Sequence, residues 1–493
     1  MKIHRPIATL AALALTLLFA PRAAAQQGAA APPPNILLII ADDMGYGDLG
    51  CTGTAVIQTP HLDALAADGR LCDQAYVTSS VCAPPSRSGL ITGRHPCRIG
   101  FETNLNAHWD EETTHTRQVF YGLHPSEATL ADHLRANGYH TGAVGKWHLG
   151  MFDEHYPTER GFDYFCGMRG GGHTYFLNRG RNQIERNGEA VTEFSSNYVT
   201  DFFTDEAIGF IERTMLFAQR GERGTNPPWF LYLAYNAPHT PMQATDADLA
   251  HYAHIENEKR RTYCAMVHAL DRGIGRVVEH LKATGQYDNT LIIFFSDNGG
   301  ARNTNASWNG VLSGSKGNLR EGGVRVPFIA TWPDRIPAGD TTYNGVVSTL
   351  DLLPTLLAAC GGEALELTDG SGRNEQPRIY DGINILDHLI TGEPTPDRAL
   401  FWRLQGQAAV LVNGNDKLIR LAHRPAQLFT LATDLGESTD MAHKHLDRTE
   451  ELYRLLFDFE RSMPTFQHFQ TLPYWFGPSA KNYDEYVPVE EPR

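Results

Sequence analysis

The stretch Val81-Cys-Ala-Pro-Pro-Ser-Arg-Ser-Gly-Leu-Ile-Thr-Gly-Arg94 decides how the rest of the chain is read. Pro84 and Pro85 cannot sit inside a helix, but both suit its first turn. Ser86 to Thr92 therefore reads as a helix start with Cys82 just ahead of it. Unpaired N–H groups and the positive dipole end gather at such a terminus and favour anions. A cysteine placed there, with Arg87 beside it, is set to meet an anionic ester. A buried, inert cysteine at a turn is the plainer reading of a lone Cys-Pro, so the surroundings must choose between them.

Working outward, Asn35-Ile-Leu-Leu-Ile-Ile-Ala41 is a continuous apolar run that reads as a central strand buried on both faces. Asp42-Asp43 follows at its C-terminal end. Ligand sites of open α/β sheets lie off such ends, and two adjacent carboxylates repel unless a cation lies between them. Their hard oxygens suit calcium or magnesium better than zinc. A solvated acidic turn is the alternative. Tyr139–Val144, Pro228–Ala234 and Thr290–Phe295 read as further strands. They are followed by Lys146 and His148, by His239, and by Asp297-Asn298. Any one of these strand ends is weak evidence. Four together, with Cys82, Arg87 and Lys316, describe a sheet with one active edge.

Helices are expected over 127–137, 204–217 and within 252–284, where Met266, Leu270, Ile274, Val277 and Leu281 recur at core spacing. Residues 151–202 read as a long polar excursion. Within it His173, after three glycines, either faces the pocket or is a solvated loop histidine. Lys316 and Arg325 lie in glycine-rich loops, and Arg325 is a candidate substrate contact. The fold class is α/β, with catalytic residues 35–380 followed by a smaller α+β subdomain over 381–493.

The 493 residues carry 42% hydrophobic and 20% charged side chains, an ordinary globular composition. Net charge is −15 and no basic run stands out, so nucleic-acid binding is not expected. Residues 1–25 read as a signal peptide: Lys2 and Arg5, an apolar stretch from Ile7 to Ala20, then Ala23-Ala24-Ala25. The apolar stretch is short for a membrane span, so the expectation is a periplasmic or secreted protein with no stable anchor. Residues 26–34 form an Ala/Pro-rich tether. Setting Cys82 aside, six cysteines remain, enough for three disulfides or none.

Cys82 to Arg94 resembles the type I sulfatase signature, Cys-x-Pro-Ser-Arg, two further residues, then Leu-Leu-Thr-Gly-Arg. Gly145-Lys-Trp-His-Leu-Gly150, the Pro-His pair ending at His239, Ser296-Asp-Asn-Gly299, the Gly-x-Lys segment at Lys316 and Leu428–Glu437 are similar to that family's other blocks. The resemblance, of the arylsulfatase and N-acetylgalactosamine-6-sulfatase kind, implies an alkaline-phosphatase-like sandwich around a large mixed, mostly parallel sheet. It also implies hydrolysis of sulfate monoesters, on a sulfated carbohydrate. Cys82 would be oxidised to formylglycine by a formylglycine-generating enzyme. Asp42, Asp43, Asp297 and Asn298 would bind calcium together with residue 82. Lys146, Lys316 and Arg87 would neutralise the sulfonyl oxygens, His239 would protonate the leaving alcohol, and His148 would take the proton that lets sulfate depart. One feature departs from the signature: an extra residue, a proline, lies between Cys82 and Arg87. A bulge at Pro84-Pro85 is expected to absorb it. A phosphate or phosphonate monoesterase of the same superfold, and a silent sulfate-ester-binding protein, are the alternatives.

Overall fold

The computed structural model describes residues 32–102, 122–178, 183–219, 227–339, 342–366, 378–404, 406–464 and 491. Residues 1–25, expected to be a signal peptide, and residues 26–31 of the expected tether lie outside them. Among the described residues there are sixteen strands: β1 (Asn35–Ala41), β2 (Arg70–Cys72), β3 (Ala75–Tyr76), β4 (His140–Lys146), β5 (Tyr164–Met168), β6 (Glu185–Arg186), β7 (Glu189–Ala190), β8 (Trp229–Ala234), β9 (Thr290–Ser296), β10 (Phe328–Thr331), β11 (Thr342–Tyr343), β12 (Val347–Ser348), β13 (Ala399–Leu404), β14 (Gln407–Val412), β15 (Asp416–Leu421) and β16 (Gln427–Thr430).

Ten of them form one sheet in the order β11-β2-β10-β9-β1-β8-β4-β5-β6-β7. The centre, β9-β1-β8-β4-β5, is parallel, and antiparallel pairs flank it. Alternate residues of β1 enter different cores. Leu37 and Ile39 pack with the helices Val199–Gln219 and Glu258–Ala283, whereas Ile36, Leu38 and Ile40 pack with Leu130, Leu134 and the helix Leu352–Cys360. Burial on both faces is why the strand is apolar at every position from Ile36 to Ala41. In the helix Glu258–Ala283 the stripe Met266, Leu270, Ile274, Val277 and Leu281 is wholly buried, as its spacing predicts, and the Asn257 side chain caps it by accepting from the Arg260 N–H at 3.0 Å.

The expected excursion over 151–202 is not all excursion. Tyr164–Met168 is β5, paired in parallel with β4. Its apolar run is short and hemmed by glycines and arginines, which lent it loop composition. A Cβ on Gly167 would lie 1.9 Å from the Gly145 carbonyl oxygen, so these two strands approach too closely there for any side chain.

The C-terminal strands form a separate antiparallel sheet, β13-β14-β15-β16. One face receives Leu452 and Leu456 of the helix Leu446–Ser462. The other face, through Trp402, Ala409, Ile419 and Phe429, packs on Val81, Leu319 and Val324. The small sheet thus lies directly behind the Cys82 and Lys316 loops, and Pro33–Arg493 forms one compact unit. The helix Leu386–Thr391, placed by sequence in the small subdomain, packs Leu386 and Leu389 into the large sheet's core. All seven cysteines are free thiols.

Candidate active site

Register makes the site. Ala41 pairs with Ser296, Ile40 with Ala234, and Gly145 with Ala234, all in parallel. The residues that follow these positions therefore emerge side by side at one edge. Asp42 and Asp43 come from β1, Lys146 closes β4, His239 follows β8 and Asp297-Asn298 follow β9. The sequence expectation of a single active edge holds for all four strand ends.

The side chains interlock. The Lys146 ammonium lies 2.5 Å from Asp42 Oδ2 and 3.7 Å from Cys82 Sγ. The Lys316 ammonium lies 2.6 Å from Asp43 Oδ1 and, again, 3.7 Å from Cys82 Sγ. Cys82 is only 2% exposed; burial pushes its thiol pKa up, against the pull of the two ammonium groups. Burial also drives the Asp43 carboxyl upward, but Lys316 and His239 outweigh it and hold the group well below the usual carboxylate range. Asp297 is pushed up to about 6, by burial first and by the charge of Asp42 second. Both Asp43 (φ 67°) and His148 (φ 54°) have left-handed backbones, strain of the kind that gathers at functional sites.

The extra proline is absorbed one turn into the loop. The Ser86 N–H reaches the Val81 carbonyl at 3.3 Å, and the Arg87 N–H reaches that of Cys82, both five residues back rather than four. A single wide turn holds one residue more than an α-turn, which is how π-type turns accommodate insertions. From Arg87 the helix runs on normally to Thr92. Arg87 itself is fully buried. Its Nε donates to Asp297 Oδ2 at 2.9 Å, its Nη2 is ion-paired with the same oxygen at 2.8 Å, and its Nη1 donates to the Lys146 carbonyl and to the Tyr232 hydroxyl oxygen. The guanidinium orients the carboxylate of Asp297 and the end of β4.

His239 Nδ1 is 2.7 Å from the Thr240 carbonyl oxygen, which can only accept, so that nitrogen carries the proton. Nε2, 3.7 Å from Asp43 Oδ2, is then the atom open to exchange. His148 is half-buried. Burial first, then Lys146, Arg87, His239 and Lys316, keep its pKa far below the ordinary value, so the ring is neutral. Gly171 lies tightly against that ring: a Cβ there would sit 2.4 Å from His148 Cε1.

The two low-lying substrate candidates fare differently. His173 is buried beside the cluster, its carbonyl accepting from Asn236 Nδ2, but its ring is engaged by the Thr174 carbonyl and the Gln183 N–H. Arg325 is not brought to the cluster. It is buried in pairs with Asp73 (2.7 Å) and Glu321 (3.4 Å) and lies over the Tyr46 ring. Sequence reading missed Tyr232, a lone polar handle in an apolar strand, and Asn305, whose Nδ2 donates to the Asp43 carbonyl at 3.0 Å.

The donor set fits a hard cation. Asp42, Cys82 and Asp297 offer ligand atoms within 4.8 Å of one another, as do Asp42, Asp43 and His239. Asp42 Oδ1 and Asn298 Oδ1 are buried acceptors with no hydrogen-bond partner among the described residues. Unpaired buried oxygens are costly, and carboxylate and amide oxygens are what calcium or magnesium takes as ligands.

Residues 34–362 match the family model Sulfatase. The chain is 34% identical over 378 residues to the N-acetylgalactosamine-6-sulfatase of Sus scrofa, covering 74% of this chain and 67% of that protein. The crystal structure of Ps i-CgsB in complex with k-i-k-neocarrahexaose superposes with a TM-score of 0.78 at 34% identity, covering 92% of this chain and 97% of that one. The phosphonate monoester hydrolase of Agrobacterium radiobacter shares the fold at 20% identity, with a TM-score of 0.60 over 87% of this chain and 95% of that one. With its strand-end carboxylates, two lysines and buried cysteine set on the alkaline-phosphatase-like sheet, the chain belongs to the sulfatase family and is a sulfuric ester hydrolase.

Proposed function

We propose that this protein removes sulfate from a sulfated carbohydrate, using formylglycine made from Cys82 and one calcium ion. The observation that carries the reading is the position of Cys82 Sγ, 3.7 Å from the ammonium groups of both Lys146 and Lys316 despite the extra proline. An anionic ester reaching residue 82 meets two cations that flank it on separate carboxylates. The carbohydrate assignment rests on the relatives, one named for N-acetylgalactosamine-6-sulfate and one bound to a neocarrahexaose.

Asp42, Asp43, Asp297 and Asn298 would hold the calcium ion. When bound there, the ion would supply Lewis acidity toward the sulfate ester, and a formylglycine at residue 82 would supply the nucleophile. The chain's own groups do the rest. Lys146 and Lys316 neutralise the sulfonyl oxygens as charge moves toward the leaving group. His239, once protonated at Nε2 from solvent, would deliver that proton to the departing alkoxide and return to the neutral ring whose Nδ1–H the Thr240 carbonyl holds. His148, kept neutral, accepts a proton on the opposite half of the cycle. Arg87 holds Asp297 in place. The signal-like N-terminus supports export, and among the described residues no helix is long and apolar enough to cross a membrane.

The test is the intact mass of the Val81–Arg87 peptide from protein made beside a formylglycine-generating enzyme, with sulfate release from carrageenan and glycosaminoglycan oligosaccharides measured in parallel. The reading expects an aldehyde mass at residue 82 and sulfate release in excess of phosphate release from matched esters. Fully active protein whose Cys82 remains a thiol overturns the nucleophile. A thiol in inactive protein that still binds the sulfated sugar replaces hydrolysis with silent binding.

A further inference from the structure

Lys316 differs from the residues of the four strand ends in having no strand beneath it. It sits in the loop 313–320, where Gly314 (φ 83°) and Gly317 (φ 91°) leave the backbone free of side-chain constraint. Hydrogen bonds alone must therefore fix its ammonium between Asp43 and Cys82. Three of them meet at two consecutive residues. The Lys316 N–H donates to the Gly300 carbonyl at 3.1 Å, beyond the Asp297-Asn298 turn. The Gly317 N–H donates to the Ser80 carbonyl at 2.9 Å, two residues before Cys82. The Gly317 carbonyl accepts from Gln407 Nε2 at 3.1 Å. Gln407 opens β14 of the C-terminal sheet, is 4% exposed, and is backed by a strand whose other face carries Leu452 and Leu456.

We propose that Gln407 is a positioning residue for Lys316, so that the small C-terminal sheet completes the active site from behind. The clamp rests on the reading of Lys316 as a cation on the sulfonyl group. The loop's ends are tied to the same sheet. Lys417 Nζ, on β15, pairs with Glu321 (2.7 Å) and Glu437 (3.1 Å). Glu437 Oε2 accepts from the Ser313 hydroxyl and from the Glu321 N–H, each at 2.7 Å. Both ends are tied to the small sheet by a buried charge cluster, and the centre, where Lys316 projects, is tied to it by the neutral Gln407 amide. Without the Gln407 donor the Gly317 carbonyl loses this partner, and the peptide plane rests on the Asn318 N–H, bonded to the Ser315 carbonyl at 3.1 Å, against a rotation that would move Lys316.

Four full-length variants test this: Gln407→Leu, Lys316→Ala, the double variant, and Val410→Ala as a control that weakens the same sheet without touching the loop. They are assayed on the ester that the wild-type chain turns over fastest among aryl sulfates and carrageenan oligosaccharides. A misplacement of about 1 Å costs up to about a hundredfold in rate, so Gln407→Leu is expected to lower kcat roughly ten- to a hundredfold with KM little changed. Val410→Ala should lower the thermal midpoint and spare kcat. In the Lys316→Ala background, Gln407→Leu should cost less than about twofold, because its effect passes through the lysine. If Gln407→Leu does not yield folded protein, Gln407→Glu, isosteric and without the donor, is read in the same way. Wild-type kcat in the Gln407 variant, or a fully additive loss in the double variant, overturns the positioning role. Wild-type activity of Lys316→Ala would instead overturn the reading of Lys316 itself.

Discussion

Replacing Gly171 by alanine adds a single methyl group, and the site gives it no room. The new Cβ would lie 2.4 Å from His148 Cε1, 2.8 Å from Nε2 and 3.0 Å from Nδ1. Carbon atoms rest at about 3.5–4.0 Å, so the ring or the loop must give by about 1 Å. The ring has little freedom. Its residue is already strained at φ 54°, and its N–H is tied to the Arg169 carbonyl at 3.0 Å. Overpacking of this kind costs about 1–3 kcal/mol of stability, and a 1 Å displacement of a proton-transfer group costs up to about a hundredfold in rate. Gly171→Ala is therefore expected to cut kcat by one to two orders of magnitude. Gly172→Ala is the matched control: its Cβ would lie 3.6 Å from His239 Cε1, an ordinary contact, so activity should stay within about threefold of wild type. Steady-state sulfate release and thermal midpoints of both variants check this. Equal activity in the two would refute the placement of His148 against the glycine loop.

Asp42→Asn keeps the volume and removes the charge that pairs with Lys146 and that the proposed cation would share; sulfate release should fall at least about a hundredfold, as a lost Lewis acid implies, and prolonged chelation of the wild type should do the same. His95 is buried neutral: Nδ1 accepts from the Cys97 N–H and Nε2 donates to the Phe401 carbonyl, and burial lowers its pKa to about 4. The unfolded chain thus binds the extra proton between about pH 4 and pH 6.5, so this group's stabilisation is complete above about 6.5 and lost on acidification toward 4, a total of about 3 kcal/mol. His95→Gln, which can make both bonds without titrating, should flatten the pH dependence of the unfolding midpoint in that window; an unchanged slope would exclude His95 as a source. Lys417→Met removes the buried ammonium that Glu321 and Glu437 share, leaving Glu321 only its longer pair with Arg325, and should destabilise the protein by about 3–5 kcal/mol, seen as a lower denaturant midpoint.

Strands buried on both faces were the most legible part of the sequence. Asn35–Ala41, Trp229–Ala234 and Thr290–Ser296 are unbroken apolar runs, and the polar residue after each marks the active edge. The strands of two or three residues, such as β2, β6 and β11, are too short to carry any period. Arg87 could be singled out by its place in the cysteine segment, but its partner Asp297 lies 210 residues away, and only the fold joins them. Arg325 illustrates the reverse. An arginine just after a Gly-Gly-Val run reads the same whether it will bind a substrate anion or a buried Asp73. Gln407 carried no signal, because an amide donor to a distant carbonyl leaves no pattern in its own neighbourhood.

The order of strands in the large sheet bears on how the chain is made. β1 is synthesised first, yet both its neighbours come late. Trp229, whose N–H donates to Asn35 Oδ1, follows after 194 residues, and Asp297, whose carboxylate accepts from the Asp43 N–H, after 254. At translation rates of about 5–20 residues per second, that interval is on the order of 10–50 s. Throughout it, Asn-Ile-Leu-Leu-Ile-Ile-Ala is an unpaired apolar strand with two open edges, the form in which such segments aggregate. The nascent chain must therefore be sheltered until its second half arrives, and fragments ending before residue 229 should be insoluble when expressed alone.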